Sequence, residues 1–228
     1  MNSIRHLVFS VTYGAFSRSR NVTLAWVLLF LPLAGMARAE PITLLALGDS
    51  LTAGYGLAEG EGLVPQLQTW LQAQGADVVV VNAGVSGDTT AGGLSRLDWS
   101  LTPDVDAVMV LLGGNDLLRG LPVAEVRSNL DAILTGIGAK GLPVLLIPMQ
   151  SAQNFGPDYK TAFDATYPEL AAKHGAVLAN PYFAALGADL SALGDLMQAD
   201  GIHPSKAGVA KIVPVLGPKV QELLTLVK

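Results

Sequence analysis

Five short apolar runs punctuate the chain, at residues 42–47, 77–81, 107–112, 143–148 and 176–179. Each is rich in Val, Leu or Ile and closed by turn residues. None alternates strictly between apolar and polar positions, which is how strands covered on both faces of a parallel sheet read. Between them, apolar residues recur at helical spacing over segments near 63–74, 90–101, 123–140 and 159–174. A last helical segment, near 205–227, contains Pro214 and Pro218. It is expected to be kinked or split, because an internal proline removes a hydrogen bond and crowds the preceding turn. Strands alternating with helices of this length predict one doubly wound α/β domain. Ligands of such sheets bind beyond the carboxyl ends of the strands, near the point where strand order reverses. The polar and glycine-rich stretches 48–56, 82–90, 113–120 and 150–157 all fall at those ends.

The first 39 residues follow a different pattern. Arg5, Arg18 and Arg20 precede an uncharged apolar run at 22–36, and Ala37-Arg38-Ala39 then forms a small-x-small cleavage site before Glu40. This predicts a secretory signal peptide over 1–39 and a mature domain over 40–228, exported to the periplasm or the outside. The apolar run is shorter than the roughly 20 residues a membrane span needs, so no stable insertion is expected after processing. An uncleaved anchor is the alternative.

Four of the 14 basic residues and none of the 19 acidic ones lie in that leader, so the remainder carries about −9. That balance argues against nucleic-acid binding, which needs clustered Lys and Arg. The chain has no cysteine. An exported domain without cysteine holds together by packing alone, with neither disulfides nor thiolate chemistry.

Candidate chemistry lies in the stretches after the strands. Ser50 sits in Gly48-Asp49-Ser50-Leu51-Thr52, where Thr52 replaces the second glycine of a G-x-S-x-G elbow. It is either a nucleophile or a helix cap. Of three histidines, His6 falls in the leader and His174 ends a helical segment, where it can meet the last carbonyls and the helix dipole. His203 remains as a base, three residues after Asp200 in Asp200-Gly201-Ile202-His203-Pro204. Asp200 is then able to accept from Nδ1–H and leave Nε2 facing a serine; the other reading of Asp200-Gly201 is a plain surface turn. Asn115, in Gly113-Gly114-Asn115-Asp116, and Gly87, in Ser86-Gly87-Asp88-Thr89, could donate to an oxyanion together with the Ser50 N–H. Asn115 as a simple left-handed turn residue is the other reading.

Taken together, these segments resemble the SGNH or GDSL hydrolases over roughly residues 42–227. Ser50 matches the nucleophile block, Gly87 and Asn115 the oxyanion glycine and asparagine, and Asp200 with His203 the acid and base. The segments 86–89, 112–116 and 197–204 look like the secreted bacterial branch with thioesterase, lysophospholipase and arylesterase activities. The departure is a second glycine, Gly84 in Asn82-Ala83-Gly84-Val85; motif register prefers Gly87. The resemblance implies a three-layer α/β/α sandwich with a five-stranded parallel sheet in flavodoxin-like order. It also implies a serine esterase or thioesterase that needs neither metal nor cofactor; a monomer is expected. Leu117, Leu118 and Leu121 after the third strand, with Met149 and Phe155 after the fourth, are expected to form an apolar acyl groove. Glycines 113, 114 and 120 would let the first of these loops move as a lid. The alternatives are a carbohydrate acetylesterase and a non-catalytic glycan- or lipid-binding protein on the same fold. A metal-dependent hydrolase is a weaker third option, since two histidines and no cysteine leave mainly oxygen ligands.

Overall fold

The computed structural model describes residues 40–187 and 193–228, so the expected signal peptide lies outside the described residues. Five strands, β1 (Ile42–Gly48), β2 (Val78–Gly84), β3 (Ala107–Leu111), β4 (Val144–Leu146) and β5 (Val177–Leu178), form one parallel sheet in the order β2-β1-β3-β4-β5. This is the flavodoxin-like order. Leu44–Leu47 of β1 and all of β3 are buried, as continuous apolar runs require.

Edge strand β2 departs from that expectation. Val78 and Val80 are buried, but Val79 and Val81 are 42% and 38% exposed, so one face is open. The open hydrogen-bonding edge is capped by side chains of the helix that precedes β2 in the chain, residues 63–73. Gln68 Oε1 accepts from the Val80 N–H at 2.8 Å, and Gln72 Nε2 donates to the Val78 carbonyl at 3.2 Å. Such capping blunts an edge that would otherwise invite another strand. β2 also runs past the expected end at 81, because Asn82, Ala83 and Gly84 pair with Ala46, Leu47 and Gly48.

Among the described residues, eight α-helices connect and cover the sheet: α1 (Ser50–Ala53), α2 (Leu63–Ala73), α3 (Thr90–Ser95), α4 (Leu97–Ser100), α5 (Gly114–Leu118), α6 (Val123–Ala139), α7 (Pro157–His174) and α8 (Lys206–Leu224). α2 packs with α8, while α6 packs with α3 and α7. Two helices differ from expectation. The segment near 90–101 breaks at Arg96, whose backbone leaves helical geometry at φ −110°, ψ 6°. Its largely buried guanidinium donates to the Gly48 and Ala83 carbonyls, each at 2.8 Å, and to Asp88 Oδ2 at 2.7 Å. α8, by contrast, is one helix despite its prolines. Pro214 and Pro218 lie one turn apart on its exposed side, opposite buried Ile212, Val213, Leu216 and Val220. The carbonyls they leave unpaired therefore face water.

Candidate active site

The register levels the carboxyl ends of three strands, with Gly48 opposite both Gly84 and Leu111. β1 and β3 flank the point where the winding direction reverses, so the segments leaving them border a crevice. Gly48 must lack a side chain there. An added Cβ would lie 2.1 Å from Thr52 Oγ1 and 2.8 Å from the Leu111 carbonyl. Asp49, not Ser50, caps α1: its Oδ1 accepts from the Leu51 N–H at 3.0 Å. The serine hydroxyl is thereby free for other work.

That hydroxyl lies 2.8 Å from His203 Nε2, and His203 Nδ1 lies 2.6 Å from Asp200 Oδ2. Asp200 Oδ1 accepts from the N–H groups of Ile202 at 2.9 Å and His203 at 3.0 Å. Those bonds, His203's first, hold the Asp200 carboxyl down at about 2, so it stays charged. Gly201, at φ +65°, turns the chain between Asp200 and His203. The turn and the site are the same structure.

Gly87, at φ +87°, borders the cleft, and its carbonyl accepts from Arg119 Nη2 at 2.8 Å. Gly84 has a different task. A Cβ there would come within 2.3 Å of the Ala53 nitrogen, so it permits α1 to pack on β2. Asn115 lies inside α5 and leaves the left-handed turn to Gly113, at φ +107°. Its Nδ2 donates to the Asp88 carbonyl at 3.0 Å and makes a long 3.4 Å contact with Asp49 Oδ2. The expected lid loop is therefore a short helix tied on two sides. Asp116 accepts from the Thr90 N–H at 2.8 Å and hydroxyl at 2.6 Å, and Tyr167 donates to the Leu112 carbonyl at 3.0 Å.

Asp49 is a residue that sequence reasoning passed over. It is 2% exposed, and burial raises its carboxyl to about 6, against the opposing pull of the Leu51 N–H, His203 and Asn115. A displaced carboxyl in a cleft is a recognisable mark of a functional site. Arg96 was missed too, because nothing local distinguishes a buried arginine that braces two strand ends.

The cleft encloses about 470 Å³. Ser50, Gly87, Asn115 and His203 line it, together with Tyr55, Leu117, Leu118, Met149, Phe183 and Ile202. Leu121 and Phe155 are not among its lining. Phe155 lies tilted against Tyr159, with ring centroids 5.1 Å apart, and the Leu121 carbonyl accepts from the Tyr159 hydroxyl at 2.9 Å. Phe183, on the 3₁₀ turn Tyr182–Leu186 after β5, lines the cleft instead. No polar signal marks that turn in the sequence.

His174 closes α7 and lies 2.6 Å from Asp131 Oδ1 on α6, and neither residue lines the cleft. Among the described residues no cluster of three or more histidines and carboxylates could hold a metal ion. No described helix is long and apolar enough to cross a membrane.

A family model described as GDSL-like Lipase/Acylhydrolase family matches residues 46–211. Esterase TesA of Pseudomonas aeruginosa is 39% identical over 188 residues, covering 82% of this chain and 92% of that protein. The Thioesterase 1/protease 1/lysophospholipase L1 of Escherichia coli K12 is 36% identical over 197 residues, covering 86% and 91%. The crystal structure of the psychrotrophic esterase EstA from Pseudoalteromonas sp., inhibited by monoethylphosphonate, superimposes with a TM-score of 0.74. It is 34% identical and covers 80% of this chain and 98% of that one.

Proposed function

Because this chain belongs to the GDSL-like lipase/acylhydrolase family and is an ester-hydrolysing enzyme, we propose that it cleaves carboxylic esters and thioesters through an acyl-enzyme on Ser50. The observation that carries this reading is the continuous line from Ser50 Oγ through both nitrogens of His203 to Asp200, at 2.8 and 2.6 Å. A non-catalytic binding protein has no use for a base aligned on a serine.

The geometry supports a two-step reaction. As Ser50 Oγ attacks the carbonyl carbon, His203 Nε2 takes its proton and Asp200 stabilises the imidazolium. The carbonyl oxygen becomes an oxyanion between the N–H groups of Ser50 and Gly87 and the amide of Asn115. One Asn115 hydrogen is held by Asp88, and the other makes only the long contact to Asp49. That second hydrogen turns to the oxyanion. The imidazolium returns its proton to the departing alcohol or thiol. A water that loses its proton to the same nitrogen then attacks the acyl-enzyme, releasing the acid and restoring Ser50.

The substrate is a small acyl ester or thioester with a short-to-medium chain. Leu117, Leu118, Met149, Phe183 and Ile202 supply apolar surface beside Ser50. The thioesterase and lysophospholipase names of a relative agree with an acyl chain as the recognised part. Each buried methylene contributes about 0.8 kcal/mol, so kcat/KM should rise about fourfold per carbon until the cleft is full. We read residues 1–39 as a leader removed before Glu40, two residues ahead of β1, and the enzyme as exported and monomeric. N-terminal sequencing and sedimentation of the secreted protein check both.

The direct test is labelling with a fluorophosphonate. The adduct should map to Ser50 by mass spectrometry and be lost in Ser50→Ala, together with ester turnover. Near-normal turnover by Ser50→Ala overturns the mechanism. A graded series of p-nitrophenyl esters and acyl-CoAs tests the substrate. Preference for acetylated sugars, with no gain from added methylenes, would replace the acyl-chain reading with a carbohydrate acetylesterase.

A further inference from the structure

The catalytic base stands on an exposed turn just ahead of α8, whose cap Ser205 ties the preceding segment through its N–H to the Leu196 carbonyl at 2.9 Å. Asp200, Gly201 and Ile202 are all exposed. The bonds inside the loop only close it on itself: Gln198 N–H to the His203 carbonyl at 2.8 Å, Gly201 N–H to the Gln198 carbonyl at 3.0 Å, and the Met197–Pro204 bridge. None of these sets the distance from His203 to Ser50. Yet an imidazole displaced by about 1 Å can lower turnover on the order of 10²-fold.

Contacts from the serine side supply that restraint. The Tyr55 N–H donates to the carbonyl of Ser50 itself at 3.1 Å. The Tyr55 carbonyl accepts from Gln198 Nε2 at 2.8 Å, and the same nitrogen donates to the Pro204 carbonyl at 3.0 Å. The Tyr55 ring lies against the imidazole, with centroids 4.8 Å apart and planes inclined by 38°. The other amide atom of Gln198 fills the space over Gly56, where an added Cβ would sit 2.1 Å from Oε1. Gln198 is thus bonded to the residues on both sides of the reacting pair, yet it does not line the cleft.

We infer that Gln198 and the Tyr55 ring are positioning residues that set the Ser50–His203 distance, joining the acid–base loop to the nucleophile segment. This rests on the serine-hydrolase reading above. The two residues act through His203 and take no part in proton transfer. Positioning comes from the Tyr55 ring and not from its hydroxyl.

The test compares Gln198→Met, which keeps length but loses the amide donor to the Tyr55 and Pro204 carbonyls, with Tyr55→Leu and Tyr55→Phe. With a short p-nitrophenyl ester, Gln198→Met should lower kcat by 10- to 100-fold while KM stays within about twofold. The rate of fluorophosphonate labelling should fall in parallel. Tyr55→Leu should lower kcat similarly, and Tyr55→Phe should restore it. In a His203→Ala background, Gln198→Met should cost nothing more, because the group it positions is gone. Wild-type kcat in Gln198→Met, a loss confined to KM, or a further loss in the His203→Ala background would each overturn the inference. If His203→Ala itself is active, it is the underlying mechanism that fails, so the two failures are distinguishable.

Discussion

Two histidine–aspartate pairs in this molecule share a contact distance and nothing else. His203 and Asp200 approach to 2.6 Å, and so do His174 and Asp131. In the first pair Nδ1 meets the carboxylate and Nε2 meets Ser50. In the second, Nε2 itself meets the carboxylate. Lys173 shares that carboxylate at 2.7 and 2.8 Å, and Lys173 and His174 together hold the Asp131 carboxyl below its usual range. In the proposed mechanism one aspartate orients a base, whereas the other is an anchor joining α6 to α7. An aspartate at hydrogen-bond distance does not make a histidine catalytic. The group at the far ring nitrogen decides.

The sharpest way to break this comparison is to remove each half of the first pair. His203→Ala should lower kcat/KM for an ester by 10⁴-fold or more, on the order seen when a triad base is lost. Asp200→Asn should cost about 10⁴-fold in kcat by favouring the wrong tautomer. Steady-state kinetics on folded variants decide it, and a tenfold loss or less would place the base elsewhere. Asn115→Ala comes next, with an expected drop of about 10²–10³-fold in kcat and little change in KM. A pure rise in KM would recast Asn115 as a substrate-binding group.

A smaller effect concerns Asp49 and appears in stability. Its carboxyl is raised from 3.8 to about 6, so the folded chain holds a proton that the unfolded chain releases. Stability from this group is accordingly greatest below pH 4 and is lost as pH rises toward 6. The loss is on the order of 3 kcal/mol. Asp200 runs the other way, since its lowered carboxyl stabilises above pH 4 and ceases to as pH falls toward 2. Urea unfolding at pH 4.5 and 7.5 should show Asp49→Asn gaining on the wild type at the higher pH. Its kcat should nevertheless fall, because an amide there sets donor against donor at Asn115. A pH-independent difference would deny the titration.

Smallest of all is the second pair. His174→Ala should leave kcat and KM within about twofold and lower stability by no more than about 1 kcal/mol, since the pair is partly exposed. A large loss of turnover would erase the distinction between the two pairs.

The elements that were legible in sequence are those whose cause is local. Apolar runs with no polar interruption belong inside a sheet, and helices of this length between them admit few topologies other than a doubly wound one. The turn Asp200-Gly201-Ile202-His203 carries its own geometry: the carboxylate caps two N–H groups three residues or fewer away and orients the ring in the same act. Ser50 was legible because a glycine-flanked polar turn follows a buried strand.

What tertiary structure alone decided depends on partners far apart in the chain. Burial, not composition, sets the titration of Asp49. Arg96 interrupts a helix because Gly48 and Ala83 present carbonyls from two strand ends, 48 and 13 residues away. Phe183 lines the cleft in place of Phe155 because the turn after β5 borders the same cleft as Ser50. Tyr55 and Gln198 meet across 143 residues. Sequence spacing reports which chemistry a segment can perform. Which side chains converge on that chemistry is settled only when the sheet brings its loops to one edge, because the energy of each such contact exists only at the distance the packing creates.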